Sequence, residues 1–214
     1  MTQSTHTDAE PPDIVLRKGA PEDAEDFARL VNLGYAHIFK ALYGISTIDP
    51  LKGMFCLKKN HLSFEHSYFA VVNGETAGII MGIDLRTRKQ GWMRTRILML
   101  RFIGAPFLVK MIQLLKGAIK KDFFPGTMGE AEYYFGYLAV YPQFRGLNLG
   151  RKLIAKEEEI AREMGAARIV GDVEVGNEVI IKIVKELGYT VEETPQEMIV
   201  GRDRFAFFRI YKDL

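Results

Sequence analysis

Tyr137-Leu138-Ala139-Val140-Tyr141-Pro142-Gln143-Phe144-Arg145-Gly146-Leu147-Asn148-Leu149-Gly150-Arg151 decides the reading of this chain. It reads as a strand that breaks at a proline, turns through small residues and opens a helix. Pro142 ends the strand's ladder because it lacks an N–H and fixes its own φ. The helix that follows offers free backbone N–H groups and the positive end of its dipole, which together bind an anion such as phosphate without any particular side chain. Gly146 and Gly150 let the backbone approach a ligand, and Arg145, Arg151 and Lys152 surround it with positive charge.

The pattern Leu138-Ala139-Val140-x-Pro142-x-x-Arg145-Gly146-x-x-x-Gly150-x-x-Leu153 resembles the acyl-CoA-binding signature of the GNAT superfamily of N-acetyltransferases, whose loop holds the CoA pyrophosphate. Here that loop is Arg145 to Gly150. Asn148 stands where the family usually has its first motif glycine, and asparagine is the residue other than glycine best able to adopt positive φ. A second segment, Gly171-Asp172-Val173-Glu174-Val175-Gly176-Asn177, then a helix to Leu187 and Gly188-Tyr189, is similar to the family's strand, asparagine, helix and terminal Gly-Phe/Tyr. Val184 stands where the family often has a tyrosine that protonates the departing thiolate. The helix is credible from its own residues too, with Val179, Ile180, Ile183, Val184 and Leu187 on one face and Gly188 as its cap.

A chain of 214 residues, 48% hydrophobic and 26% charged, fits a single globular domain. We expect that domain over 13–214, behind a disordered tail of 1–12 that lacks the basic start and apolar centre of a secretion signal. The formal net charge of +2 is too small to imply nucleic acid. Cys56, the single cysteine, excludes an intrachain disulfide and fits the cytoplasm. Following Met54-Phe55, it is expected to be a buried thiol. Four scattered histidines show no metal-ligand spacing, so no metal is expected.

The remaining pattern is αβ. Ile14 to Arg17 reads as a strand, and Pro21-Glu22-Asp23-Ala24 opens a helix with Phe27, Leu30 and Val31 on its apolar face. Two β-rich runs, Tyr68 to Val72 and Glu75 to Asp84, flank Asn73-Gly74, the pair preferred in type I′ hairpin turns. Tyr133 to Val140, Arg168 to Val175 and Arg204 to Lys212 read as strands, and Leu149 to Met164 as a helix. The order predicts an α+β, mixed αβ fold. The resemblance implies a central mixed, mostly antiparallel sheet splayed into a V and flanked by helices. It also implies that the CoA pantetheine arm pairs with Leu138, Ala139 and Val140 by strand addition, with the pyrophosphate at Arg145, Gly146, Leu147, Asn148, Leu149, Gly150 and Arg151, and with Asn177 at the second motif.

A helical insert, 86–130, precedes the CoA-binding strand. From Arg86 to Lys121 it carries ten basic residues and no acid, with apolar residues at mostly helical spacing and a break at Gly104-Ala105-Pro106. It reads as a lid, as a face for an acidic substrate or partner, or as a basic amphipathic surface for an anionic membrane. Arg101, Pro106 and Lys110 argue against a spanning helix.

If acyl-CoA is the donor, the simplest reaction is direct attack of a primary amine on the thioester, and the amine must lose a proton. Asp172 and Glu174, two apart on one strand, face the same way and are the candidate bases; Glu130 and Glu132 come after them. The alternative is that the two acids merely hold nearby cations such as Arg168 or Lys182. The oxyanion would meet a backbone N–H near Leu138, where the resemblance implies a bulge. Tyr137, Tyr189, Tyr211 or water would protonate the thiolate. The acceptor is an amine of a small molecule or a protein. The reading is thus an acetyl-CoA-dependent N-acetyltransferase, a candidate homodimer; the alternative is a CoA-binding regulatory or interaction module without chemistry.

Overall fold

Asn73 (φ 50°) and Gly74 (φ 85°) both take the left-handed conformation, the geometry of a type I′ turn, whose twist matches the strands it joins. They connect β2 (Ser67–Val72) to β3 (Glu75–Asp84). The computed structural model of the protein describes residues 11–115, 129, 131–200 and 202–214, with 87–90, 114 and 115 as backbone only. Most of the expected tail, and the end of the insert at 116–128 and 130, lie outside the described residues.

Around that hairpin lies one sheet. β1 (Ile14–Lys18) pairs with β2, and β3 pairs with β4 (Glu132–Val140), both antiparallel. β5 (Arg168–Glu174) runs parallel to β4. Beyond it, β6 (Thr190–Val191) and β7 (Gln196–Val200) each pair antiparallel with β8 (Asp203–Asp213), which pairs with β5 along its other edge. The mixed, mostly antiparallel sheet read from the sequence is therefore present.

Helices cover both faces. On one side lie α1 (Ala24–Tyr43), α2 (Ile48–Phe55), α3 (Arg88–Ile103) and α4 (Ala105–Leu115). On the other lie α5 (Leu149–Glu163) and α6 (Glu178–Glu186). Strand alternation divides the core between them: Ile79 and Met81 pack with Phe27, Leu30, Phe55 and Leu98, whereas Ile80 packs with Leu153, Ile154, Ile169 and Val184. Each such side chain contributes about 1.5–3 kcal/mol by leaving water. Phe27 stacks on Phe55 at 4.3 Å and ties α1 to α2.

Three details depart from the sequence reading. Helix α2 was not anticipated; Pro50 sits in its first turn, where a missing N–H costs little. A Cβ on its Gly53 would lie 2.5 Å from the Phe102 ring, so that glycine sets the close approach of α3. Cys56 is exposed rather than buried. Met54 and Phe55 fill the core, and Cys56, at the end of the helix, lies outside it, with its thiol 3.5 Å from the Pro21 carbonyl. Val179 is 70% exposed; the inner face of α6 is carried by Ile180, Ile183, Val184 and Leu187.

Candidate active site

The parallel pairing of β4 with β5 stops after three residue pairs, Glu132–Tyr134 against Arg168–Val170. Beyond Tyr134 and Val170 the two strands diverge, and from there the edge of β4 that faced β5 has no strand partner among the described residues. β4 also bulges there. Ile79 is opposite Ala139 while Met81 is opposite Gly136, so β4 carries one extra residue, and Tyr137 takes φ 52°. The splayed edge ends at Leu138, Ala139 and Val140, where backbone groups are open to an extended ligand segment.

From that edge the chain turns into α5 through Pro142–Phe144 and a loop in which Gly146 (φ 88°) and Asn148 (φ 58°) are left-handed. Among the described residues, none of the backbone N–H groups from Gly146 through Arg151 donates to a protein acceptor; the first to do so is Lys152, to the Asn148 carbonyl at 3.2 Å. A Cβ on Gly146 would meet nothing within 4 Å, and one on Gly150 only the tip of Ile183 at 3.8 Å. A row of donors at a helix N-terminus without acceptors among the described residues fits a pyrophosphate. Arg145 and Lys152 are exposed beside it. Arg151 is held by Glu186 and by Asn148 Oδ1, so part of its charge is already matched. Asn177 caps α6, its Oδ1 accepting from the Ile180 N–H at 3.3 Å.

Asp172 and Glu174 point from β5 toward α1, and each meets a partner the sequence did not suggest. Arg209 Nε donates to Asp172 Oδ1 at 2.7 Å and the Tyr134 hydroxyl lies 3.4 Å from Oδ2. Burial pushes the Asp172 carboxyl up, while Arg209 and the Tyr134 hydroxyl pull it down. Glu174 is more open; its Oε1 lies 3.1 Å from His37 Nε2 on α1. Neither acid holds Arg168 or Lys182: Arg168 binds Asp213 at 2.7 Å, and Lys182 lies 4.0 Å from Glu186. Glu132 accepts from the Gly129 N–H at 2.8 Å, at the far end of β4. Glu130 lies outside the described residues.

A cavity of about 280 Å³ opens beside the bulge, between α1, the α3–α4 pair and the sheet. Tyr137 and Asp172 line it, together with Tyr35, Tyr134, Trp92, Arg96, Phe107 and Lys110. Tyr35 and Tyr137 meet edge to face at 5.2 Å. Burial pushes the Tyr137 hydroxyl up to about 12 and raises Tyr35 as well. Val184 is fully buried in the core cluster that also holds Ile80, Leu153, Ile154 and Ile169, and Tyr189 is buried against Phe135. Tyr211 holds the Arg168 guanidinium at 4.7 Å from its ring. Of the three tyrosines considered for proton donation, only Tyr137 lines the cavity.

Sequence reasoning missed His37, Tyr35, Tyr134 and Arg209 as neighbours of the acids. His37 and Glu174 are 137 positions apart, so no local spacing joins them. Arg209 lies directly opposite Asp172 across the β5–β8 ladder. That pairing was findable only once the register of the last strand was known.

The sequence profile of the acetyltransferase (GNAT) family matches residues 38–189, and the chain belongs to this family. Among curated protein sequences none matches it significantly. Solved structures share its fold. A crystal structure described only as an acetyltransferase superposes with TM-score 0.67 at 20% identity, over 93% of this chain and 98% of the other. YncA from Salmonella typhimurium, solved with its cofactor acetyl-CoA, gives 0.60 at 16% over 94% of each chain. The ribosomal-protein-alanine N-acetyltransferase of Brucella melitensis gives 0.61 at 14%, over 94% and 99%. By this family membership the protein is an acetyltransferase. Among the described residues no group of three or more His, Cys, Asp or Glu is placed to hold a metal, and no helix is long and apolar enough to cross a membrane.

Proposed function

We propose that this enzyme transfers an acetyl or other short acyl group from acyl-CoA to a primary amine by direct attack. One observation carries the reading: the open edge of β4 leads at one end to the unsatisfied N–H row of Gly146–Arg151 and, at the bulge, to a cavity lined by Tyr137 and Asp172. The thioester supplies the activated acyl carbon. Leu138, Ala139 and Val140 bind the extended arm, and Arg145 to Arg151 bind the pyrophosphate, with Asn177 holding the start of α6. A backbone N–H near Leu138, at the bulge, meets the carbonyl oxygen as it gains charge.

Glu174, which does not itself line the cavity, takes the amine proton through water in this scheme, because its carboxylate is half-exposed and its partner His37 can pass the proton to solvent. Asp172, clamped by Arg209, holds the shape and charge of the site. Tyr137 supplies a proton toward the leaving sulfur. Calorimetric titration with acetyl-CoA, CoA and dephospho-CoA tests the donor site: micromolar binding that weakens without the 3′-phosphate supports it, and no binding to any of the three overturns it. CoA release with amines, assayed on the same preparation, tests the chemistry and rejects the reading of a non-catalytic CoA-binding module.

A second reading concerns the outer face of the insert. Met93, Ile97 and Leu100 on α3 and Leu108, Val109 and Ile112 on α4 are each 44–60% exposed. Arg94 and Arg101 are exposed beside them in a segment without acids. A basic, apolar helical surface suits an anionic bilayer. Co-sedimentation with phosphatidylserine vesicles, lost on pure phosphatidylcholine and reduced in Arg94→Gln/Arg101→Gln, is the expected result; equal binding to both vesicles, or none, rejects it.

A further inference from the structure

The cavity beside the bulge is lined mostly by carbon. Tyr35, Phe39, Trp92, Met99, Phe107 and Met111 form its walls, and the α3–α4 side adds two cations, Arg96 and Lys110. The Arg96 guanidinium lies over the Trp92 ring at 4.8 Å, which fixes its position. No described carboxylate lies within ion-pair distance of Arg96 or Lys110. Among the described residues of the wall the acid is Asp172, which is paired with Arg209 at 2.7 Å. Among the described residues the cavity therefore holds apolar walls and two positive charges without an acidic partner.

That combination discriminates between amines. An acceptor with further ammonium groups would bring like charge against Arg96 and Lys110 in a largely desolvated space, with no free carboxylate among the described residues to receive it. An acceptor with an apolar body and an anionic group gains from both features: its carbon skeleton leaves water, and its anion meets a planar, preorganised guanidinium and an ammonium. A volume of about 280 Å³ accommodates a single aromatic ring with short substituents. We infer that the acceptor is a small apolar amine that also carries a carboxylate or comparable anion, read by Arg96 and Lys110 from the insert. This rests on the acyltransfer reading above, and it gives the insert a specificity role that the CoA motifs do not contain.

The test compares CoA release with para-aminomethylbenzoate, benzylamine and spermidine, after calorimetry has shown whether acetyl-CoA binds. The expected result is a kcat/KM for para-aminomethylbenzoate at least about tenfold above benzylamine, with spermidine lowest, as one charge-assisted contact allows. In Arg96→Gln and Lys110→Gln the ratio of the first two falls toward one; in Arg96→Lys, which keeps the charge, a preference remains. Equal rates for the two aromatic amines, spermidine as the best acceptor, or an unchanged ratio in both glutamine variants would overturn the inference. Donor binding without turnover of any of the three overturns this acceptor class while leaving the donor site intact, whereas absence of donor binding removes the acyltransfer reading and the inference with it.

Discussion

His37 on α1 and Glu174 on β5 meet at 3.1 Å, nitrogen to carboxylate oxygen, across the mouth of the splayed sheet. The contact joins the helix that walls the cavity to the strand that forms one arm of the V. It also leaves both groups half in solvent, with side-chain exposures of 48% and 37%. Asp172, two residues earlier, is 6% exposed and bound to Arg209. The two acids thus differ in what they can do: one can exchange a proton with solvent through an imidazole, and the other is a fixed counter-charge.

If Glu174 removes the amine proton, its loss must hurt most where free amine is scarce. An amine of pKa near 10 is about 0.1% unprotonated at pH 7 and about 10% at pH 9. Glu174→Gln should therefore lower kcat/KM by about a hundredfold at pH 7 and by much less at pH 9. His37→Gln should show the same trend with a smaller amplitude. Steady-state CoA release across that range decides it; an equal loss at both ends would assign Glu174 to positioning.

The loop prediction separates binding from folding. Gly150 has room for a Cβ, with only Ile183 Cδ1 at 3.8 Å, and it sits in the first turn of α5 without positive φ. Gly150→Val should thus keep folding stability within about 1 kcal/mol of the parent. The valine side chain would instead stand over the N–H row where the pyrophosphate is proposed to bind, weakening CoA by about tenfold or more. Unchanged CoA affinity with unchanged Tm would remove the loop from the donor site.

Local chemistry made most of the framework legible from the sequence. The Asn73-Gly74 turn, the break at Pro142 and the Gly188 cap each depend on one or two residues, and strand alternation placed Asp172 and Glu174 on one face. Asn148 was legible for the same reason, since few other side chains tolerate φ 58°. What stayed hidden depends on tertiary register. Arg209 reaches Asp172 only because β8 lies antiparallel to β5 in one particular register, and His37 reaches Glu174 only through the packing of α1 on the sheet. Cys56 shows the opposite failure, in which apolar sequence neighbours suggested burial but the end of α2 left the thiol outside.

Val184 occupies the place where the family often has a tyrosine, and it is fully buried. Restoring that tyrosine would overpack the α5–α6 core; Val184→Tyr should cost about 1–3 kcal/mol and bring no gain in rate. Tyr137, already at the bulge and held up to about 12 by burial, is the proposed acid instead. Tyr137→Phe keeps the ring that packs on Tyr35 and removes only the hydroxyl. We expect kcat to fall about tenfold with the donor KM unchanged. A kcat equal to that of the parent would assign thiolate protonation to water.

Glu157, on α5, is fully buried beneath β3, where the Tyr133 hydroxyl donates to its Oε2 at 2.6 Å and its Oε1 has no hydrogen-bond partner among the described residues. Gly82 makes room for this pair: a Cβ there would lie 2.0 Å from Glu157 Oε2 and 2.1 Å from the Tyr133 oxygen. Burial pushes the Glu157 carboxyl up to about 7 from an ordinary 4.5, against the pull of the Tyr133 hydrogen bond. Below pH 4.5 the group is protonated in both folded and unfolded chains. Between 4.5 and 7 the unfolded chain releases the proton and the folded one retains it, so this group's contribution to stability falls as pH rises. Above 7 the loss levels off at roughly 3 kcal/mol. Glu157→Gln keeps an acceptor for Tyr133 and cannot ionise. Its Tm should exceed that of the parent at pH 8 and approach it, or fall below it, at pH 4.5. Gly82→Ala should destabilise the protein at every pH by displacing the pair. Thermal unfolding of the three proteins across this range measures the effect, and a Tm gap between parent and Glu157→Gln that stays constant with pH would mean that Glu157 is ionised in the folded state much as in the unfolded chain.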